Sequence, residues 1–356
     1  MLKLIQAQGS PYEIGQMHGT QAKEQVLVSI NTYKKLFSYY ANVDWETAKA
    51  RAISFIEPIE AFDAGLLEEM KGVADGAGVG FEDILVLNAR SEILFMQGDA
   101  PVDSCTAIGI VPELTMENRL LHAQTWDWIP SQEPAMIVLR IAQVNKPKIL
   151  MLTEAGIVGK VGLNSEGIGI TLNAMSVPRE AKGVPLHIVL RGMLNSYNLV
   201  NAMEKVIKHK CASAANIMVS SRDGEVLDLE IAGADYDVLY PEDGICVHTN
   251  HFQSERLKSV YYDKNRDSAI STHMRLGRVR RKLRAIGKQI KMDDIYGLMC
   301  DHAGFPESIC YHPNINVPVS ERGATVASMI MDTSLGIMYA SLGRPCENPY
   351  ALFRLV

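Results

Sequence analysis

Hydrophobic and polar positions alternate with one period before about residue 102 and with another after it. In the first part, Ile59, Phe62, Leu66, Met70 and Val73 recur at spacings of three and four, the signature of one buried helical face. Ser10-Pro11-Tyr12-Glu13 combines a capping Ser, Pro at the first helical position and Glu three residues after the cap. A helix is therefore expected to start there and run towards Tyr40. A second is expected over 45–56, ended by Pro58, then a third closed by Gly76, Gly78 and Gly80, and a fourth over 81–91. The first hundred residues thus read as helical. Beyond residue 102, short β-rich runs at 106–111, 120–124, 136–141, 149–153, 157–163 and 168–173 are separated by Gly, Pro, Asn and Glu clusters, which predicts a mostly antiparallel meander. Helices are expected again between 185 and 210, then strands at 216–221, 226–231 and 245–248. An amphipathic helix over 274–290, a short one over 293–300 and two final strands at 325–331 and 336–342 complete the pattern. Helical layers around antiparallel strands make an α+β sandwich the expected fold.

Composition narrows this little. With 356 residues, 47% hydrophobic and 21% charged, the chain suits one large α+β unit or two domains. Longer apolar runs such as 135–139 are strand-sized, and the first residues, MLKLIQAQGS, are too short an apolar stretch for a signal peptide. No membrane partner and a cytoplasmic location are therefore expected. The net charge of −6 removes any global attraction to nucleic acid. The basic run from Arg275 to Lys291 shares its helix with the apolar stripe Leu276, Val279, Leu283, Ile286 and Ile290, so it reads as the solvated face of a docked helix.

Six cysteines without a CxxC argue against a disulfide framework and a zinc ribbon. Two sets have ligand-like spacing: Cys246, His248 and His251, and Cys300, His302, Cys310 and His312. Neither matches the common finger spacings, so no metal and no cofactor are expected. Cys105 differs from the other thiols by its place, where the helical portion gives way to strand. A nucleophile at the start of a strand is held on rigid scaffold, and the next strand can bring Asp127, in Trp126-Asp127-Trp128, back beside it. Asn173 and Asn250 each end a strand, where a side-chain amide can donate to the oxyanion of acyl transfer or satisfy a turn.

These segments, in this order, resemble the acyl-CoA:6-aminopenicillanate (isopenicillin N) acyltransferase-like family of N-terminal nucleophile hydrolases. The resemblance runs from Gly9-Ser10-Pro11-Tyr12-Glu13-Ile14-Gly15 with His18-Gly19 through Cys105-Thr106, Trp126-Asp127-Trp128 and His248-Thr249-Asn250-His251-Phe252. It continues to Asp301-His302, Pro306 to His312, Thr325 with Asp332, and Gly343-Arg344-Pro345. It implies a four-layer αββα sandwich, two mostly antiparallel sheets between helical layers, made as a precursor that cuts itself between Ser104 and Cys105. Residues 1–104 would then be an α subunit and 105–356 a β subunit of one shared domain, the cleaved segment remaining as partner. The family usually has Gly where Ser104 stands, and a larger residue there alters the strain that drives the acyl shift.

Carried over position by position, the resemblance makes Cys105 the nucleophile, Asp127 the carboxylate on the new amine and substrate, and Asn250 the oxyanion donor. Asn173 matches a second amide of the related bile-salt-hydrolase branch. Arg275 and Arg322 compete for the family arginine; beside the resemblance, Trp126 is expected to wall the site and His251 or His248 to orient the Asn250 loop. The implied activity is a self-processing cysteine amidohydrolase that cleaves the C–N bond of a small N-acyl amine or N-acyl amino acid. Acyl-CoA-dependent transfer is the alternative within the enzyme class; a non-catalytic or zinc-binding protein on the same fold is the alternative outside it. Pocket walls are expected from the segment before the cut and from Trp126, Trp128, Phe252 and Tyr261.

Overall fold

A computed structural model describes residues 1–95, 104–177, 182–268 and 270–355. The chain does not open on helix. Leu4, Gln6 and Gln8 alternate with Ile5 and Ala7 in a strand, β1 (Lys3–Gly9), that pairs in parallel with a later strand, so its partner comes from outside the helical portion. The capping signal at Ser10 is realised in full: its hydroxyl accepts from the Glu13 amide and Glu13 reaches back to the Ser10 amide. The expected single helix is divided, however, into α1 (Pro11–Gln21), α2 (Lys23–Leu36) and a π-helical turn at Phe37–Ala41. After α3 (Trp45–Ile53), Pro58 lies in the first turn of α4 (Ile56–Ala77), where its missing N–H costs nothing, and does not end the preceding helix. Helices α5 (Phe81–Asn88) and α6 (Arg90–Phe95) follow.

The β-rich part begins with β2 (Ser104–Ile110), β3 (Leu121–Trp128), β4 (Met136–Gln143), β5 (Ile149–Glu154), β6 (Val161–Asn164) and β7 (Gly169–Ala174). Then come α7 (Leu186–Leu194), α8 (Leu199–Ile207), β8 (Ala214–Ser220), β9 (Val226–Ala232), β10 (Asp235–Leu239) and β11 (Ile245–His248). The last stretch holds α9 (Glu255–Val260), α10 (Lys264–Ser268), α11 (Ser271–Ile286), α12 (Met292–Met299), β12 (Ala324–Asp332), β13 (Ile337–Leu342) and β14 (Ala351–Arg354). Strands β10 and β14 and the short helices α9 and α10 are additions to the pattern read from the sequence.

Two sheets result, one of eight strands in the order β1-β4-β5-β6-β7-β8-β9-β10 and one of six in the order β11-β2-β3-β12-β13-β14. Among these strands every pairing is antiparallel except β1 with β4. The sheets face each other, and buried polar side chains cross between them: His122 on β3 bonds Thr171 and Ser220, and Gln124 bonds the Leu172 backbone. One outer face is covered by α11 and α12, whose Val279, Leu283, Ile295 and Leu298 pack on Ile108, Ile110 and Ala123. The other is covered by the N-terminal helices and α7. Helix, sheet, sheet and helix give the four layers that the resemblance implied. Within the N-terminal layer, α1 and α4 touch backbone to backbone: a Cβ at Gly15 would stand 1.9 Å from the Glu69 carbonyl oxygen, and one at Gly72 would stand 2.1 Å from that of Tyr12.

Candidate active site

Cys105 lies at the second position of β2, paired on one side with β3 and on the other, further along, with β11. Register sets Ser104 opposite Asp127 and Cys105 opposite Trp126. Residues opposite each other in an antiparallel pair share a face, so the Cys105 side chain points with Trp126 towards the other sheet, and Asp127 shares the helix-covered face with Ser104 and Thr106. The return strand therefore brings the carboxylate to the Ser104–Cys105 peptide rather than alongside the sulfur. Cys105 and Asp127 are both buried.

Three groups hold the Cys105 backbone. Its amide N–H donates to Asn250 Oδ1 at 2.8 Å. Its carbonyl accepts from Arg275 Nη1 at 2.7 Å, and the same nitrogen donates to Thr106 Oγ1 at 2.9 Å. Arg275 Nη2 donates to Asn250 Oδ1 at 3.0 Å, closing a ring of bonds around the nucleophile candidate. Two donors converge on Oδ1 while Asn250 Nδ2 donates to the Ala174 carbonyl at 3.1 Å, which fixes the amide's orientation. Asn250 thus works first as the acceptor of the Cys105 nitrogen, a contact the oxyanion assignment did not anticipate.

Helix α11 positions both partners. Thr272 Oγ1 accepts the Asn250 amide at 2.8 Å, and Arg275 follows three residues later on the same face. Burial pushes the Arg275 guanidinium below its ordinary value, and the Asp127 carboxylate and the Cys105 thiol oppose that shift. His251 bonds Thr272 through Nδ1 at 2.9 Å, and burial, with His273 beside it, pushes it down to about 3. Neutral and bonded to Thr272, it sits beside the Asn250 loop. On the other side, Thr325 Oγ1 donates to Asp127 Oδ1 at 2.6 Å and accepts the Tyr311 amide at 2.9 Å. Thr272 was not singled out in the sequence, although it sits one helical turn before Arg275, and Thr325 was named only within the resemblance, without a contact to Asp127.

Other candidates fall elsewhere. Asn173 donates to the His248 carbonyl at 3.4 Å and accepts from Asn216, which donates to Asp228; Asp228 in turn accepts from the Cys246 thiol. This buried chain makes Asn173 part of a brace between β7, β8, β9 and β11. Arg322 donates to the carbonyls of Val317 and Ile315 and lines a cleft, and neither of these bonds reaches Cys105, Asp127 or Asn250. Of the two arginines, Arg275 is the one whose bonds reach Cys105 and Asn250. Cys246, His248 and His251 do not converge as ligands, because His248 is held by Glu230 Oε1 at 2.7 Å and by the Thr249 carbonyl at 2.8 Å. The basic face of α11 is partly neutralised by ion pairs of Arg278 and Lys282 with Asp301 and of Arg280 and Arg284 with Glu242.

Trp126, Trp128 and Phe252 are buried, and Lys160 Nζ stands 4.1 Å over the Trp126 ring. The expected wall from residues 96–103 lies outside the described residues. An apolar cleft of about 470 Å³ opens beyond the end of β3, between Ile129, Pro130, Leu36, Tyr39, Tyr40 and Val319, and Cys105, Asp127 and Asn250 are not among its lining residues.

Residues 114–347 match the family model described as acyl-coenzyme A:6-aminopenicillanic acid acyl-transferase. The acyl-coenzyme A:6-aminopenicillanic-acid-acyltransferase 40 kDa form of Emericella nidulans is 28% identical over 351 residues, covering 98% of this chain and 94% of its own. Among solved structures, a single-residue variant of conjugated bile acid hydrolase from Clostridium perfringens superposes with a TM-score of 0.51 at 12% identity. That likeness covers 70% of this chain and 97% of the other and shows a common fold, the N-terminal nucleophile hydrolase sandwich. With its family-model match spanning well over half its length, the chain belongs to the acyl-coenzyme A:6-aminopenicillanic acid acyl-transferase family.

Proposed function

We propose that the protein is a self-processing cysteine amidohydrolase that cuts the Ser104–Cys105 bond and then cleaves the amide of a small N-acyl amine or N-acyl amino acid. The supporting observation is the grip on Cys105: its nitrogen on Asn250 Oδ1 and its carbonyl on Arg275. The Cys105 thiol attacks the Ser104 carbonyl carbon, the peptide nitrogen leaves as the new α-amine, and water resolves the thioester. The α-amine has a reference pKa of about 7.7 to 8.0, so near neutral pH it serves as base for its own thiol. With Asn250 Oδ1 accepting one N–H, the amine lone pair stays directed away from that bond. A positive guanidinium next to Cys105 stabilises the thiolate formed when the α-amine takes up the thiol proton as an ammonium.

In turnover, the thiolate adds to the substrate carbonyl, the Asn250 side-chain amide stabilises the oxyanion, and the protonated α-amine of Cys105 passes its proton to the leaving nitrogen. Water then clears the acyl-enzyme. Asp127, fixed by Thr325, holds the polar end of the site, and the apolar cleft beyond Ile129 suits an apolar acyl group. A second reading, transfer of the acyl group from acyl-coenzyme A to an amine, is favoured by the name of the Emericella relative, which aligns over nearly the whole chain.

Denaturing electrophoresis tests the processing. Wild type should give bands of about 11 and 28 kDa, from 39.3 kDa divided at residue 104 of 356, and Cys105→Ala should stay whole and inactive. A single uncut band in active wild-type protein would sink the proposal. Product analysis against N-acyl amines, with and without an acceptor amine, separates hydrolysis from transfer.

A further inference from the structure

We propose that the protein carries a structural zinc site, separate from the Cys105 site, formed by His302, Cys310, His312 and Cys346. The one ligand atom that each residue offers lies within 4.8 Å of the other three. His302 and His312 meet Nε2 to Nε2 at 3.1 Å, and Cys310 and Cys346 meet Sγ to Sγ at 3.5 Å. His312 Nε2 stands 3.3 Å from the Cys346 sulfur and 3.7 Å from that of Cys310. Zinc bonds of about 2.3 Å to sulfur and about 2.0 to 2.1 Å to nitrogen, arranged tetrahedrally, require ligand-to-ligand edges of about 3.3 to 3.8 Å. Four of the six edges, at 3.1 to 3.7 Å, lie near that range, and the two from His302 to the sulfurs are within 4.8 Å, so small side-chain shifts would close a tetrahedron of the right size.

The surroundings agree with a metal centre. His312 turns Nε2 to the cluster and Nδ1 towards Glu347 Oε1 at 3.7 Å, and Glu347 is itself held by Arg344 at 2.6 Å. A carboxylate on the far nitrogen of a ligating imidazole fixes its tautomer and orientation. Cys310 is buried, whereas His302 and Cys346 are exposed, which leaves a route for the ion to enter. Two thiolates and two imidazoles favour zinc over hard cations such as Mg²⁺ or Ca²⁺, and binding releases the thiol protons to solvent.

Sequence spacing pointed the other way because it grouped Cys300 with His302, Cys310 and His312. The fourth ligand is instead Cys346, supplied by the loop between β13 and β14, a distance along the chain that no local motif records. The site would staple the loop after α12 to that C-terminal loop. Tyr311 lies between two of the ligands, its N–H on Thr325 Oγ1 at 2.9 Å and its carbonyl accepting the Thr325 amide at 3.0 Å. Through Thr325 the staple steadies Asp127.

Full-length protein purified without chelator, under reducing conditions and without a histidine tag, should contain one zinc per chain by elemental mass spectrometry. Replacing the zinc with Co²⁺ should give the intense visible absorption of a tetrahedral thiolate complex. Both signals should disappear in Cys346→Ser and in His302→Ala, two exposed positions, with the far-ultraviolet circular dichroism unchanged. Should either variant misfold, the wild-type Co²⁺ spectrum alone decides, since tetrahedral sulfur ligation has no other source among the described residues. The proposal is overturned by wild-type protein that binds neither ion after incubation with a slight excess, by zinc retained in both variants, or by a Cys310–Cys346 disulfide in reductant-free preparations.

Discussion

Arg191 and Arg275 are both fully buried, and the molecule treats them in opposite ways. Arg191, on α7, meets the Glu69 carboxylate of α4 with both terminal nitrogens, at 2.8 and 2.7 Å. Arg90 is handled similarly, with Glu154 at 3.1 Å. Arg275 has no such partner among the described residues: its bonds run to a carbonyl, a hydroxyl and an amide oxygen, all neutral. A buried ion pair cancels its own field, so Arg191 and Arg90 tie helices to the sheet and present little charge outward. A buried guanidinium held by neutral acceptors keeps its field, and here the field falls on the Cys105 peptide. Tolerating an unpaired charge in the interior is costly, and such costs concentrate where a chain performs chemistry.

The contrast can be broken by exchanging each arginine for Met. Arg191→Met leaves the Glu69 carboxylate buried without its partner, and stability should fall by about 3 to 5 kcal/mol, read as the denaturant midpoint. The protein that remains folded should still be cut at Cys105. Arg275→Met breaks no direct ion pair, although it removes a charge that favours the buried Asp127 carboxylate, so its stability should fall less, while self-cleavage and turnover fall roughly 100- to 1,000-fold, as for removal of a donor at a reacting centre. Equal loss of stability in both variants, with unchanged cleavage in Arg275→Met, would remove the distinction.

Why one of these arginines was readable in advance and the other was not follows from where the signals lie. The Ser10 cap, the stripe from Ile59 to Val73 and the β-rich runs are local, and each lies in an element of the predicted type, although the helix from Ser10 is divided and the run at 157–163 forms strand only from Val161. Strand β1 was missed because its partner, β4, lies far along the chain, and a short alternating run next to a strong helix start carries little weight alone. At the site, Cys105, Asp127, Asn250 and Arg275 were legible through their segments, each at a strand end or helix start. Nothing local marked Arg191, since its partner Glu69 comes from a distant helix. Choosing Arg275 over Arg322 required the fold, because only the packing of α11 on β2 brings a guanidinium to the Cys105 carbonyl.

His122 shows a third way to bury a basic group, by keeping it neutral. It bridges Thr171 and Ser220 at 2.9 and 2.8 Å, and burial pushes it down to about 3. The unfolded chain takes up a proton near pH 6.5 and the folded chain does not until about 3. The stability contributed is therefore fully present above 6.5 and is lost as pH falls from there towards 3. His18 and His251, at about 4 and about 3, add to the same acid limb. In His122→Gln, the slope of unfolding free energy against pH near pH 5 should be smaller by about 1.4 kcal/mol per pH unit, one proton's worth. An unchanged slope would mean that His122 charges in the folded state, as a paired cation would.

The smallest effect concerns how Asp127 differs from Glu69. Glu69 is oriented by a charge, Asp127 by the Thr325 hydroxyl at 2.6 Å. The hydroxyl bond at Oδ1 fixes the direction of the Asp127 carboxylate, and under the proposed function it aims that carboxylate at the substrate or the new amine. Thr325→Val keeps the shape of the side chain and removes the donor; turnover should fall about tenfold, equivalent to about 1.4 kcal/mol, with stability changed by about 1 kcal/mol. Thr325→Ser restores the donor and should recover most of the rate. A Val variant as active as the Ser variant would show that Asp127 is held by its strand alone, and the contrast between charge-paired and hydroxyl-paired carboxylates would then have no bearing on the reaction.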